Sequence, residues 1–304
     1  MFGNFSVDYC SEVHHAKSLE ALGHEVIRLQ ETAAHSDEVL SLSLEADMLV
    51  WIHSHGFVVQ GRPMIEVLDI LKEKNIPTVA YHLDLYMGLE RWQEYESSDY
   101  FKVQHFFTVD KLMANWLNEN TETKGHYLPA GVLHEECYSL DLPKINDVIF
   151  VGSKGYHHEW PYRPQLINWL AETYGDRFKH YGGDGLGVIR GIDLNRLYGQ
   201  SKIVIGDTLC PNYTYPCYMS DRIFETIGRG GFIIHPKIIG MEEFFEINKQ
   251  VETYDYGNFK ALKEKIDYYL THKQERDIIR EAGFKRVHRD HTYMSRWETI
   301  INTI

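Results

Sequence analysis

Short apolar runs alternate along the chain with helical repeats of apolar positions, and this alternation is typical of a doubly wound α/β fold. Strands are predicted at the apolar runs 47–52, 76–81, 148–151, 202–205 and 232–234, the last of them buried on both faces. Shorter strands are predicted at 106–109, 125–129, 178–181 and 250–254. Amphipathic helices are predicted where apolar residues recur every three or four positions, at 64–74, 164–174, 194–200, 259–270 and through most of 274–304. Strands that alternate with helices in this way pair in parallel through right-handed crossovers.

A polar segment divides this pattern into two α/β domains. Residues 140–147 read Leu-Asp-Leu-Pro-Lys-Ile-Asn-Asp, a proline-bearing stretch typical of a linker. We therefore expect one domain over 1–140 and a second over 147–293. The chain has 304 residues, which is enough for two domains of ordinary size.

The first strand of the N-terminal domain has few residues available to it. Residues 16–22 predict a helix that ends at Gly23, and residues 26–29 predict the strand that follows. A doubly wound domain begins with an apolar strand, yet only the first six residues offer one. Either this strand is a stub or the chain starts late.

One stretch, residues 215–236, combines a loop, a helix start, a glycine turn and a buried strand. Ser220 is a good N-cap residue, and Asp221 suits the positive end of the helix dipole. The unpaired N–H groups at the N-terminus of a helix can form a binding site for a phosphate. Arg222 offers a bidentate contact to that phosphate, and Glu225 offers an acceptor for ribose hydroxyls. The alternative is an ordinary strand–helix–strand corner.

Four polar residues follow predicted strands of the N-terminal domain. His53 and His55 follow one strand, and His82 and Asp84 follow the next. Ligands of parallel sheets bind at the carboxyl ends of strands, so we expect these side chains to face a common crevice. The alternatives are satisfied strand-end histidines and an Asp84 that caps the next helix.

The net charge of −13 is carried by the first half of the chain. Residues 1–140 hold 9 Lys and Arg against 22 Asp and Glu, a balance of −13, whereas the remaining residues hold 22 of each. The first half should therefore repel polyanions at long range, and the second half is electrostatically able to hold one.

The bulk composition is that of a soluble globular protein, with 43% hydrophobic and 25% charged residues. Neither an apolar leader nor a run near 18 apolar residues occurs, so secretion and a membrane span are not predicted. Four scattered cysteines without a C-x-x-C pair indicate reduced thiols rather than disulfides or a zinc site. We therefore expect a cytoplasmic protein.

Several segments in the second half, taken together in their order and spacing, resemble a known family. They are 149–153 with Tyr156 and Arg163, 197–204, 220–225 with 230–232, and 291–293 with Arg296; the first half matches more loosely through 22–26 and 127–132. The resemblance is to group 1 nucleotide-sugar glycosyltransferases of the GT-B fold, in the branch related to spore-maturation glycosyltransferase-like proteins. That branch is common in phages, so a viral protein would be expected in the host cytoplasm.

The resemblance implies two Rossmann-like domains that face each other across a crevice, with helix 294–304 crossing back to the first domain. The sequence agrees, because Trp297, Ile300, Ile301 and Ile304 form an apolar stripe at helical spacing. Such a stripe at a chain end implies a docking surface. Packing within the second domain alone is the alternative.

The resemblance also implies a nucleotide-sugar donor, expected to be a UDP-sugar, and no cofactor. The donor-binding residues that it implies are Gly3, Gly152, Ser153, Arg163, Tyr181, Gly182, Arg190, Tyr218, Ser220, Asp221, Arg222 and Glu225. The nucleobase is expected near 182–191. The first glutamate of the family's E-x7-E pattern falls at Cys217, so the identity of the sugar stays open. As alternatives, Arg163 lies on the surface, and Arg222 pairs only with Asp221 or Glu225.

The leading hypothesis is transfer of a hexose-type sugar to an acceptor hydroxyl held by the N-terminal domain. No D-x-D motif occurs, so we expect Arg side chains and helix N-termini, rather than a metal ion, to neutralise the diphosphate. An inverting reaction needs a general base, for which Asp84, His82, His53 and His55 are the candidates, whereas a retaining reaction needs none.

Two alternatives concern the partner. The acceptor is unknown, a glycan or a small molecule, or else a hydroxymethylated pyrimidine in DNA, as in viral DNA modification. The acidic first half argues against DNA, because duplex binding depends on Lys and Arg contacts to phosphates. The other alternative is a non-catalytic sugar-nucleotide-binding subunit, suggested by Cys217 and by the short first strand.

Overall fold

The computed structural model describes residues 1–52 and 59–304. These residues form two compact units, the first comprising Met1–Pro129 with Tyr293–Ile304 and the second Ala130–Thr292. The segment 140–147, predicted as a linker, lies inside the second unit and leads into its first strand. No helix in the described ranges is long and apolar enough to cross a membrane.

The elements follow the α/β alternation predicted from the apolar pattern. The strands are β1 (Phe2–Gly3), β2 (Leu29–Gln30), β3 (Leu49–Val50), β4 (Thr78–His82), β5 (His105–Thr108), β6 (Lys124–Tyr127), β7 (Asn146–Val151), β8 (Phe178–Tyr181), β9 (Ser201–Ile205), β10 (Ile233–Pro236) and β11 (Glu252–Tyr254). The helices are α1 (Ser11–Ala21), α2 (Ser36–Ser43), α3 (Met64–Glu73), α4 (Lys111–Asn120), α5 (Tyr162–Tyr174), α6 (Gly191–Gly199), α7 (Asp221–Gly228), α8 (Phe259–Thr271), α9 (Lys273–Asp290) and α10 (Tyr293–Thr303).

The first unit is built on parallel strands. Strands β3, β4, β5 and β6 are neighbours in that order, and β1 pairs in parallel with β2. A parallel bridge between Phe2 and Trp51 sets β1 beside β3. Strand β1 is a two-residue stub, and β2 begins at Leu29 rather than at residue 26.

Helix α10 belongs to the first unit and buries its apolar stripe there. Trp297 and Ile300 are fully buried, whereas Ile304 is exposed. The Trp297 indole Nε1 donates to His15 Nδ1 of α1 at 3.3 Å, and Arg296 Nε donates to the Pro129 carbonyl at 2.7 Å. The chain end is therefore fixed to the first unit by apolar burial and by hydrogen bonds.

The second unit has one parallel sheet with the order β11-β10-β9-β7-β8. The central strands are apolar runs in which Ile149, Phe150, Val204 and Ile205 are buried, which is why they occupy the middle of the sheet. Because the strands are parallel, their carboxyl ends meet at one edge. The turns after β7, β8 and β9 therefore lie side by side.

Candidate functional site

Two glycine turns form the base of the candidate site in the second unit. Gly152 follows β7 with φ +142°, a conformation that L side chains rarely adopt, and its N–H donates to the Tyr181 carbonyl at 2.7 Å. A Cβ on Gly182 would lie 2.6 Å from the Gly152 carbonyl oxygen, so this approach also requires glycine. The Asp184 carboxylate accepts the Lys154 N–H at 2.9 Å, which ties the two turns together.

The Arg222 side chain of α7 lies directly over the first of these turns. A Cβ on Gly152 would lie 2.9 Å from Arg222 Nη2, and the guanidinium carbon lies 5.9 Å from the centre of the Phe150 ring. Arg222 Nη1 donates to the main-chain carbonyl of Asp207 at 3.2 Å. Burial lowers the pKa of Arg222, and the positive charge of Arg163 lowers it further. Two cations therefore lie near one another at this edge.

A buried carboxylate holds the second cation in place. Asp207, which follows β9, is fully buried and accepts from Arg163 Nε at 2.7 Å and from Trp160 Nε1 at 3.1 Å. Arg163 Nη1 also donates to the Ser153 carbonyl at 3.3 Å. Arg163 is buried, so it is not a surface residue of α5. Asp207 is not among the residues predicted from the sequence, although an acidic residue directly after Gly206 and an apolar strand is the signal that could have indicated it.

The start of α7 is not capped by its serine. Ser220 occupies the N-cap position with extended backbone angles but makes no side-chain hydrogen bond to the helix. Its Oγ lies 3.1 Å from Thr208 Oγ1 instead. Tyr218 before it is buried, and Asp221 after it is exposed.

Glu225 lies one helical turn after Arg222 and is partly buried. Its Oε1 lies 3.7 Å from Nη2 of Arg229, which is itself buried and hydrogen-bonded to Glu136 and to Asn195. Arg229 therefore lies within ion-pair distance of the Glu225 carboxylate.

Other predicted donor-binding residues are more dispersed. Tyr181 ends β8, and burial raises the pKa of its hydroxyl. Arg190 is exposed at the N-cap position of α6. Gly3 lies in the first unit, where a Cβ would come within 2.7 Å of the Ile52 carbonyl oxygen.

Cys217, which stands where the family pattern has glutamate, packs against another loop. Its backbone is left-handed with φ +56°, and a Cβ on Gly240 would lie 2.5 Å from its Sγ. The Cys217 side chain is buried in this contact.

The predicted catalytic candidates lie in the first unit. His82 is buried among aromatic rings, with Nδ1 3.4 Å from the Tyr100 hydroxyl and the Tyr86 ring centre 4.8 Å away. Asp84 is partly exposed, and its carboxylate lies 3.9 Å from Arg91 Nη2. His53 and His55 lie outside the described residues.

Comparisons with known proteins identify this architecture. Residues 163–302 match the family model described as Glycosyl transferase-like. No curated protein matches the chain at a significant level. Among solved structures, an alpha-glucosyltransferase in complex with UDP-glucose and DNA containing an abasic site is 14% identical, with a TM-score of 0.66 over 99% of this chain and 98% of that one.

Two further structures show the same fold. A glycosyltransferase from Rickettsia africae is 17% identical, with a TM-score of 0.59 over 99% of this chain and 96% of that one. HepE from Anabaena in complex with UDP is 12% identical, with a TM-score of 0.63 over 99% and 98%. The predicted GT-B fold is confirmed by these structures, and the predicted glycosyltransferase resemblance by the family match. The chain therefore has the GT-B fold, and its residues 163–302 match the glycosyl transferase-like family.

Proposed function

We propose that the protein transfers a sugar from a nucleoside diphosphate donor to an acceptor hydroxyl, with the diphosphate bound in the second unit. The observation that carries this proposal is the convergence of Arg163 and Arg222 on Asp207, one on its carboxylate and the other on its carbonyl. The other acidic group near Arg222 is Asp221, whose side chain is exposed, and a bound dianion would supply further negative charge to the two guanidinium groups.

The surrounding backbone supports an anion at this place. The glycine turns at Gly152 and Gly182 present main chain without side chains, so a ligand can approach closely. The start of α7 adds a main-chain N–H at Arg222, because the Ser220 side chain makes no cap hydrogen bond to the helix. These fixed donors would stabilise the negative charge that grows on the leaving diphosphate in the transition state.

Glu225 is positioned to accept hydrogen bonds from the ribose of the donor. It lies one turn beyond Arg222 on α7, and its carboxylate is 3.7 Å from Arg229 Nη2. A ribose hydroxyl needs such an acceptor, and a carboxylate is a stronger one than a neutral group.

UDP is the nucleotide that we propose. The alpha-glucosyltransferase structure contains UDP-glucose and the HepE structure contains UDP, and both have the fold of this chain. We also propose that turnover needs no metal ion, because the two arginines and the helix start supply the charge that a D-x-D-bound metal supplies elsewhere.

Mass spectrometry of donor consumption tests this function. The full chain is incubated with UDP-, GDP- and ADP-sugars, with and without excess EDTA. We expect release of UDP from at least one UDP-sugar at a rate that EDTA does not change. Failure to consume any sugar nucleotide would contradict the proposed function, and loss of turnover in EDTA that manganese restores would contradict metal independence.

The acceptor is proposed to bind the first unit, where Asp84 is the accessible candidate for a general base. His82 is buried in its aromatic cluster, which makes it the weaker candidate. Replacing Asp84 by Asn should abolish transfer, but not nucleotide binding, if the reaction inverts. A retaining reaction would leave the Asp84→Asn variant active.

A DNA acceptor is the second candidate, favoured by the structural neighbour that contains DNA. The balance of −13 over residues 1–140 disfavours it. Incubation with UDP-sugar and duplex DNA containing hydroxymethylated pyrimidines decides the matter. Glycosylated bases after nuclease digestion would establish the DNA acceptor, and unmodified bases alongside sugar transfer to a glycan would exclude it.

A further inference from the structure

The Ser220 hydroxyl is turned away from the helix that it precedes. A serine at an N-cap with extended backbone angles normally accepts an N–H of the first turn, which stabilises the helix by about 1 kcal/mol. Here φ is −65° and ψ is 158°, yet the side chain makes no cap hydrogen bond. Its Oγ lies 3.1 Å from Thr208 Oγ1, and its N–H donates to the same oxygen at 3.4 Å.

Thr208 is in turn held by a buried histidine. Thr208 and His235 are both fully buried, and Thr208 Oγ1 lies 3.2 Å from His235 Nε2. The other ring nitrogen, Nδ1, lies 2.7 Å from the Pro236 carbonyl oxygen. A carbonyl can only accept, so Nδ1 carries the proton and donates to it.

The positions of the Thr208 and Ser220 hydroxyl protons follow from the protonation of His235. Burial lowers the pKa of His235 to about 4, so its ring is neutral at ordinary pH and Nε2 is an acceptor. The Thr208 hydroxyl must donate to that acceptor. Its only proton is then used, so the Ser220 hydroxyl must donate to Thr208 Oγ1. The Ser220 proton is thereby used on Thr208, and this bond holds Ser220 Oγ 3.1 Å from Thr208 Oγ1, where it makes no cap hydrogen bond to α7.

Thr208 and His235, with the hydrogen bonds that join them to Ser220, are called the relay here. The surrounding structure keeps Thr208 and His235 in place. A Cβ on Gly206 would lie 2.4 Å from His235 Cδ2, so glycine at 206 is what leaves room for the ring. The Tyr256 hydroxyl donates to the Thr208 carbonyl at 2.9 Å, which fixes the main chain at Thr208. Ser220 therefore faces a rigid acceptor.

We propose that His235 and Thr208 are positioning residues that keep the Ser220 hydroxyl off the first turn of α7, so that the main-chain N–H of Arg222 remains available to the donor diphosphate. This inference rests on the proposed function, because the ligand is the diphosphate proposed above. A capping serine would compete with a phosphate for the same N–H group. The relay therefore makes α7 less stable than a capped helix would be, and it increases the affinity for the diphosphate.

The test replaces Thr208 by Val, which keeps the shape and removes the hydroxyl. We expect Ser220 Oγ in a crystal structure of the Thr208→Val variant without nucleotide to move onto the N–H of Arg222. The affinity for UDP, measured by calorimetry on the full chain, should fall roughly five- to tenfold, the scale of one capping interaction. Thr208→Ser, which keeps the hydroxyl, should retain the wild-type position of Ser220.

A double variant distinguishes competition between Ser220 and the diphosphate from structural damage caused by Thr208→Val. In Thr208→Val/Ser220→Ala no hydroxyl is left to cap the helix, so most of the lost affinity should return. A double variant as weak as the single one would overturn the proposal, and so would a Ser220 that stays in place in Thr208→Val.

A spectroscopic measurement needs no variant. The nitrogen NMR spectrum of wild-type protein at pH 6 to 7 should show His235 neutral and protonated at Nδ1. Protonation at Nε2 would overturn the proton order. Failure of wild-type protein to bind UDP would contradict the UDP donor, while the position of Ser220 and the His235 tautomer would still decide the relay.

Discussion

At the scale of single residues, the candidate site is defined by buried ionic groups that satisfy one another. Asp207 is fully buried and Arg163 is 5% exposed, and each would carry a large desolvation cost alone. Their contact at 2.7 Å, with Trp160 as an additional donor, offsets that cost. A buried ion pair contributes little when intact and is expensive to break.

Replacing Asp207 by Asn should therefore destabilise the protein strongly. The amide keeps the shape but leaves Arg163 as an uncompensated buried cation, at a cost of about 3–5 kcal/mol in the free energy of unfolding. Urea denaturation measures this change. Asp193, which pairs with Arg196 on the exposed surface of α6, is the matched control, and Asp193→Asn should cost less than ~1 kcal/mol. Equal effects of the two substitutions would show that the Asp207 pair is not structurally important.

At the scale of elements, the apolar pattern predicts the most completely buried strands best. Strands β4, β7, β9 and β10 are continuous apolar runs between turn residues, so they are predicted to within a few positions. Helices α2 and α4 are not predicted. They are only 8 and 10 residues long, and helices of this length depend on tertiary packing rather than on a pattern of their own.

The candidate donor site is predicted only where the signal lies within a short stretch of sequence. Arg222 and the glycine turns follow from local chemistry and from the family resemblance. Asp207 and His235 could not be assigned, because their roles depend on residues 44 and 27 positions away in the chain, Arg163 and Thr208. Only the parallel order of the strands brings those residues together.

The C-terminal helix α10 provides a test at this scale. Trp297 is fully buried and donates to His15, so Trp297→Ala should cost about 3–5 kcal/mol in the stability of the first unit. UDP affinity should change little, because the proposed donor site lies in the second unit. Glu298→Ala on the exposed face of α10 is the control. A Trp297→Ala variant as stable as the control would contradict the packing of this helix, and one that lost UDP affinity in proportion would contradict a separate donor site.

At the scale of the whole molecule, buried neutral histidines make the protein sensitive to acid. Burial lowers the pKa of His15 in the first unit to about 3, and that of His235 in the second unit to about 4. Below a pH of ~6.5 these two histidines become protonated in the unfolded chain but stay neutral in the folded protein. The free energy of unfolding is therefore highest above pH 6.5 and decreases as the pH falls toward the folded pKa values.

Each of these histidines should remove about 1.5 kcal/mol from the free energy of unfolding between pH 6.5 and pH 5. Urea denaturation across that range measures the slope. Carboxylates also contribute, so the comparison is between variants: His15→Gln should reduce the slope, and His288→Gln, at an exposed position of α9, should not. An unchanged slope in His15→Gln would show that the folded protein takes up a proton on His15 as readily as the unfolded chain does.

The central claim is that the second unit binds the diphosphate of the donor beside Arg222, and calorimetry with UDP tests it most directly. Arg222→Ala removes a hydrogen bond to a charged group and should weaken UDP binding by roughly 1.5–3 kcal/mol. Arg196→Ala, in the exposed pair with Asp193, is the matched control and should bind UDP as the wild-type protein does. Unchanged UDP affinity in Arg222→Ala, with a wild-type protein that binds UDP, would contradict the account.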